Sequence, residues 1–188
     1  MIQICMKLLA ALCVFAIPAL SAELELRYAT LERIIGDQLF TQEGRHYVRG
    51  NKTSRCQFAY LEGPHIDAEN GRLRMKARFS GRSALDMFGG CVGLGDSFDL
   101  TLTASAAVKN GAIVFNDVTV ATVKDSYYIR RVRVALVRSI SKDFKIELRD
   151  HARKLLEPAG ELASFDLSEI RVTPNALVLV IEFKLVVK

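Results

Sequence analysis

From Arg72 to Phe79 the chain alternates without a break: Leu73, Met75, Ala77 and Phe79 are apolar, and Arg72, Arg74, Lys76 and Arg78 between them are cationic. Successive side chains of a β-strand point to opposite faces, so this segment reads as a strand with one buried and one solvated face. The same period governs Phe98, Leu100, Leu102, Ala104, Ala106 and Val108, set against Asp99, Thr101, Thr103 and Ser105. Asn70-Gly71 and Asn110-Gly111 stand where these runs need a two-residue turn, and both residue types tolerate positive φ. The second turn leads into Ile113 and Phe115. Beyond them the apolar parity moves from odd to even at Val118 and Val120, which predicts a β-bulge across Asn116-Asp117. His46 to Arg49 and Gln57 to Leu61 read as shorter strands. A last hairpin runs from Phe165 to Val172, turns at Thr173-Pro174-Asn175 and returns from Leu177 to Val187, with Leu177, Leu179, Ile181, Phe183, Leu185 and Val187 on one face.

Two segments carry the helical period instead. Leu24 to Leu39, with Tyr28, Leu31, Ile34 and Ile35 between, predicts a short amphipathic helix. Leu136, Val137, Ile140, Phe144, Leu148, Ala152, Leu155 and Leu156 predict a helix from Val134 to Leu156, about 35 Å long at about 1.5 Å per residue, ended by Pro158 and Gly160. Tyr127 to Arg133 reads as strand or turn, because a helix through it would put Arg130 and Arg133 on the apolar face. Ser80 to Asp96, which holds Gly81, Gly89, Gly90, Gly93 and Gly95, reads as an irregular segment. The expectation is an α+β fold: a long, strongly twisted antiparallel sheet wrapped around one long helix, with a short N-terminal helix, in one domain spanning 23–188.

The first residues set the expected compartment. Lys7 is followed by an apolar run from Leu8 to Leu20 and then by Ser21 and Ala22, the order of a secretory signal over 1–22, cleaved near Ala22 or Glu23. The run is too short to cross a bilayer of about 30 Å as a helix. The charge at Lys7 suits a start at Met6 as well as at Met1, and Leu12 before Cys13 does not fit a lipid-modified cysteine. Without the signal the chain retains Cys56 and Cys91, and an even pair in an exported chain reads as a disulfide. A periplasmic or secreted protein is expected. His46, His65 and His151 stand far apart and supply no metal-ligand spacing, so neither metal nor cofactor is expected.

Catalytic signatures fail on inspection. Gly95-Asp96-Ser97-Phe98 is similar to the nucleophile block of GDSL-type hydrolases, but those enzymes need an Asp three places before a late histidine, and Leu148 stands there before His151. The glycines from 89 to 95 match neither a P-loop nor a dinucleotide-binding pattern. The expectation is a protein that is not an enzyme. The net charge of +5 names no partner by itself. It is concentrated, however: Arg131, Arg138, Lys142, Lys145, Arg149 and Arg153 belong to a basic stretch that, with the Arg72 to Arg78 row, forms a candidate surface for anionic headgroups. Nucleic acid is not expected, because that row has no interleaved aromatic residue.

The order of elements resembles the tubular lipid-binding (BPI-like, TULIP) superfamily: an early helix, long hairpins at Asn70-Gly71 and Asn110-Gly111, a long helix ending near Leu156, and a last hairpin running into Leu177 to Phe183. The resemblance covers most of the chain and rests on architecture and hydrophobic pattern. It implies a twisted sheet around a helix with lipid in the seam, Leu136, Ile140, Phe144 and Leu148 facing Phe98, Leu100, Phe115, Leu179, Ile181 and Phe183. Its function would be to carry or sense a lipid or other apolar molecule. The open half-barrel of bacterial lipoprotein carriers is the competing fold, and an envelope scaffold or protein-binding module with a solid core is the competing function.

Overall fold

Both Asn-Gly pairs make tight turns in the computed structural model, which describes residues 20–156, 158 and 161–186. Asn70 and Gly71 have φ of 52° and 71°, and Asn110 and Gly111 have 53° and 71°, the geometry of a turn that matches strand twist. The strands they join are β3 (Gln57–Glu69), β4 (Arg72–Met87), β5 (Gly90–Lys109) and β6 (Ala112–Thr122). With β2 (Arg45–Arg49) at one edge and β7 (Lys145–Glu147) at the other, they form a six-stranded sheet ordered β2-β3-β4-β5-β6-β7 that curls as a half-barrel. A second sheet, ordered β1-β9-β8, contains β1 (Leu20–Arg27), β8 (Glu161–Val172) and β9 (Ala176–Val186). Every pairing is antiparallel. The expected bulge is present: the β5–β6 register moves from Thr103↔Thr119 to Ser105↔Asn116, and Asp117 takes a φ of 51°.

One core joins the two sheets. The odd-numbered row of β4 and the even-numbered row of β5 turn Leu73, Ala77, Phe79, Phe98, Leu100 and Leu102 inward, where they meet Leu167, Leu177 and Leu179 of the second sheet. Helices α1 (Tyr28–Leu39) and α2 (Tyr127–Asp143) add Leu31, Ile35, Leu136 and Ile140 to the same cluster. The fold is broadly α+β. The remaining element is a short helix, α3 (Arg149–Leu156). Among the described residues no helix is long and apolar enough to cross a membrane.

Three expectations are corrected. The helix expected from Leu24 starts at Tyr28, because Ala22, Leu24 and Leu26 alternate with Glu23, Glu25 and Arg27 and pair with Ile181, Leu179 and Leu177 of β9. The single long helix over Val134–Leu156 is not formed. α2 begins earlier, where the Ser126 hydroxyl caps it by accepting from the Ile129 N–H, and Asp125 takes up both Arg130 and Arg133. It ends at Asp143: Phe144 is extended at φ −77°, ψ 111°, and Lys145–Glu147 pair with Ala112–Val114. Phe144, Ile146 and Leu148 are all buried at a spacing of two, and residues 144 and 148 fit the helical wheel equally well, which hid the strand.

Ser80 to Asp96 is regular rather than irregular. β4 and β5 stay paired from Leu73↔Ala104 to Met87↔Gly90, and Phe88 and Gly89 close the hairpin with φ of 53° and 79°. Pairing with β3 stops at Gln57↔Ser83 and with β6 at Leu100↔Thr122, so the last turns of this hairpin form a two-stranded arm. Gly93 lets the strands approach: a Cβ there would lie 2.5 Å from the Ala84 Cα and the Ser83 carbonyl oxygen. The Cys56–Cys91 disulfide is formed, with Cα atoms 5.3 Å apart, and the Ala84 N–H donates to the Cys56 carbonyl at 2.9 Å. The arm is therefore anchored to the segment that precedes β3. The expected signal segment lies outside the described residues as far as residue 19.

Candidate functional site

α1 is poorly equipped to stand alone. It has twelve residues, no side-chain bond at its N-cap, no acidic residue in its first turn and no basic residue in its last. A helix this short is marginal in water, so its position depends on what it touches. Leu31 and Ile35 seat it on the core, and polar ties hold it along its length. The Tyr28 hydroxyl reaches the carbonyls of Thr173, and of Ala176 at 3.0 Å, in the β8–β9 turn. Burial, and secondarily Asp67, push the Tyr28 phenol above its ordinary value, so it remains a donor. Glu32 accepts from the Ile66 N–H at 3.0 Å and lies 3.1 Å from His65 Nδ1. Gln38 binds β7 twice, donating to the Glu147 carbonyl at 2.8 Å and accepting its N–H at 3.1 Å. At the C-terminus His46 Nδ1 lies 2.8 Å from the Leu39 carbonyl, which can only accept, and its ring packs 4.7 Å from that of Phe144. Tyr28→Phe is expected to cost about 1 kcal/mol in urea unfolding and to speed amide exchange in α1 while leaving the β4–β5 pairing unchanged.

Between this strap and the inner face of the sheet lies an apolar crevice. Leu31, Ile35 and Leu39 wall it from α1; Ile66, Leu73, Met75, Leu102, Ala104, Phe115 and Val118 wall it from the sheet; and Ile140 and Phe144 close it. Among the described residues Arg74 is the one charged residue at its margin. The free volume is about 40 Å³. Small-molecule pockets begin at roughly 300 Å³, so a ligand of acyl-chain size must lift α1 to be seated.

The ten residues expected to line a lipid seam lie together but do not all face this crevice. Ile140, Phe144 and Phe115 wall it. Leu136, Leu148, Phe98, Leu100, Leu179 and Ile181 are buried in the same core beyond it, and Phe183 is half-buried against that core. The α1 wall was missed, although Leu31, Ile35 and Leu39 recur every four residues and mark one helical face. Ser97 Oγ lies 2.8 Å from Ser80 Oγ, the other hydroxyl of its cross-strand pair.

The cationic row of β4 is largely neutralised across the sheet. Arg74 binds both oxygens of Asp67, at 2.6 and 2.8 Å, and Glu69 at 2.8 Å. Lys76 lies 3.8 Å from Asp67, Arg78 lies 4.0 Å from Asp99, and Arg72 donates to the Asp117 carbonyl. The hydrogen bonds from Arg74 hold the Asp67 carboxyl below the ordinary carboxylate range, so its contribution to stability is present at neutral pH and is lost as pH falls through that lowered value. Asp67→Asn is expected to flatten the acid limb of the stability curve below about pH 4 while costing no more than about 1 kcal/mol at pH 7, because the pair is partly solvated. An unchanged acid limb would contradict this.

The second cationic group is spread over three elements, because the long helix is broken. Arg131, Arg138 and Lys142 lie on α2, Lys145 on β7, and Arg149 and Arg153 on α3; all six are exposed. Lys145 pairs with Glu147, Arg153 lies 3.9 Å from Asp150, and the Arg131 guanidinium sits 5.4 Å from the Tyr127 ring centre. Arg138, Lys142 and Arg149 have no ion pair among the described residues. Comparison with family models, curated proteins and solved structures gives no match. The disulfide fits an oxidising compartment, extracellular or periplasmic.

Proposed function

We propose that the chain is an exported, non-enzymatic protein that binds a lipid or other apolar molecule beneath α1. The observation that carries this reading is the crevice itself, apolar except for Arg74 at its margin and covered by a helix held in place from outside rather than by its own capping. A ligand enters by lifting that strap. The apolar surface of Leu31, Ile35 and Leu39 is then covered by ligand instead of by the sheet, so the hydrophobic contribution is exchanged and not lost. The exposed Arg138, Lys142 and Arg149 draw the protein toward anionic headgroups from which such a ligand comes.

The test is uptake of a fluorescent fatty acid by the disulfide-bonded chain and by Ala104→Leu. The added side chain exceeds the free volume of the crevice and is expected to weaken uptake at least tenfold, at about 1–3 kcal/mol of stability from overpacking. Uptake that is equal in the two proteins contradicts the location. A solid-cored protein-binding module is the second reading, favoured by the small free volume, and it predicts no uptake by either form.

A further inference from the structure

The apolar row that builds the core does not stop where the core stops. Past Phe79 the same face of β4 continues through Gly81 and Ser83 to Leu85 and Met87, and the facing positions on β5 are Leu94 and Val92. Among the described residues no helix covers them on the two-stranded arm: Leu85 is 64% exposed, Met87 45%, Val92 63% and Leu94 62%. Phe88, at the apex of the turn, is fully exposed. From Ser83 to Leu94 this face carries no charged side chain, and Asp86 points to the opposite one, where its neighbour across the pair is the disulfide-bonded Cys91. At about 3.3 Å per residue the arm reaches about 16 Å from Ser83 to Phe88.

We infer that the tip of this arm docks into the interfacial layer of a phospholipid bilayer, with Phe88 leading and Leu85, Met87, Val92 and Leu94 following. Two observations favour a bilayer over a second copy of the chain. The five side chains form a patch at the small end of the roughly 600–1,000 Å² that each partner of a stable protein interface buries. They lie at a protruding apex, which a fluid surface accepts without a matching cavity. Docking is shallow. Among the described residues both outer edges of the arm beyond Ala84 lack a paired strand, so their backbone groups need water or headgroup oxygens and cannot enter the hydrocarbon. The disulfide holds the arm as one rigid unit while its tip leaves water.

The chain has no tryptophan, so Phe88→Trp places a single indole reporter at the apex. The probe is a vesicle of phosphatidylcholine and phosphatidylglycerol at 3:1. The expected result is a blue shift of the indole emission on mixing, quenching by lipids brominated near the headgroup, and at least a tenfold loss of vesicle flotation in Phe88→Asp with an unchanged circular dichroism spectrum. Flotation with an indole that stays in water would overturn the inference, placing contact elsewhere on the cationic surface. Absence of flotation would also overturn it. An indole buried without lipid, in a protein whose mass doubles with concentration, would assign the tip to a second copy. None of these results depends on the crevice, so uptake beneath α1 stands or fails separately.

Discussion

Removing the Cys56–Cys91 bond, by Cys56→Ala with Cys91→Ala, is expected to lower the unfolding free energy by about 4 kcal/mol, which is what chain entropy gives for a closed loop of this length. That is a large part of the total stability of about 5–15 kcal/mol typical of a domain. The loss has a location. The bond joins the segment before β3 to the end of an arm that has no sheet neighbour among the described residues, and the Ala84 to Cys56 backbone bond lies between the same two segments. Amide exchange is therefore expected to rise first from Ala84 to Leu94, with the Leu73 to Phe79 pairing protected until global unfolding. Guanidinium unfolding of the oxidised protein and the double variant checks the magnitude, and exchange mass spectrometry checks the location. A change below about 1 kcal/mol would mean that the unfolded chain is already constrained in this region.

The second large effect is expected at Phe79. Its ring is buried, lies 5.0 Å from that of its cross-strand partner Phe98, and rests on Gly81, where a Cβ would come within 2.6 Å of its Cζ. Phe79→Ala removes the ring from a site whose backbone neighbours are fixed by pairing on both sides, so the cavity cannot collapse. The expected cost is about 3–5 kcal/mol. Phe88→Ala, nine residues along and at the open end of the same hairpin, is expected to change stability by no more than about 0.5 kcal/mol, because the ring is already in water. Urea unfolding of the two variants side by side checks both numbers. Equal effects would mean that the arm folds back onto the body in solution.

The contrast between these two phenylalanines also marks how far the sequence could be read. Strands were legible where one face is buried, because burial enforces alternation: Leu73 to Phe79 and Phe98 to Val108 announce their pairing, and Asn70-Gly71 and Asn110-Gly111 announce its turns. Along the arm Leu85 and Val92 are exposed while Ala84, on the opposite face, is buried, and Gly81 and Ser83 interrupt the apolar row, so the burial that enforces alternation is lost and the same strand looks irregular. The break after Asp143 was hidden for a different reason. Phe144 and Leu148 satisfy a period of two and a period of four together, and only Ile146, fully buried between Lys145 and Glu147, distinguishes them. At the site, Ile140, Phe144 and Phe115 were legible as inward-facing side chains. The α1 wall was not, because a sequence shows that a helix has an apolar face but not which part of the core that face covers. The cationic row of β4 looked like a surface until Asp67, Glu69 and Asp99 were placed across from it; cross-strand partners lie at separations that depend on turn length and register.

The most direct measurement of whether this chain carries an apolar molecule is native mass spectrometry of the disulfide-bonded protein, produced in an oxidising compartment, followed by organic extraction of whatever accompanies it. The expected result is an adduct of lipid mass on the wild-type chain and its loss or marked depletion on Ala104→Leu. A bare mass for the wild-type chain, with no lipid in the extract, would contradict it and leave the solid-cored binding module as the reading that fits.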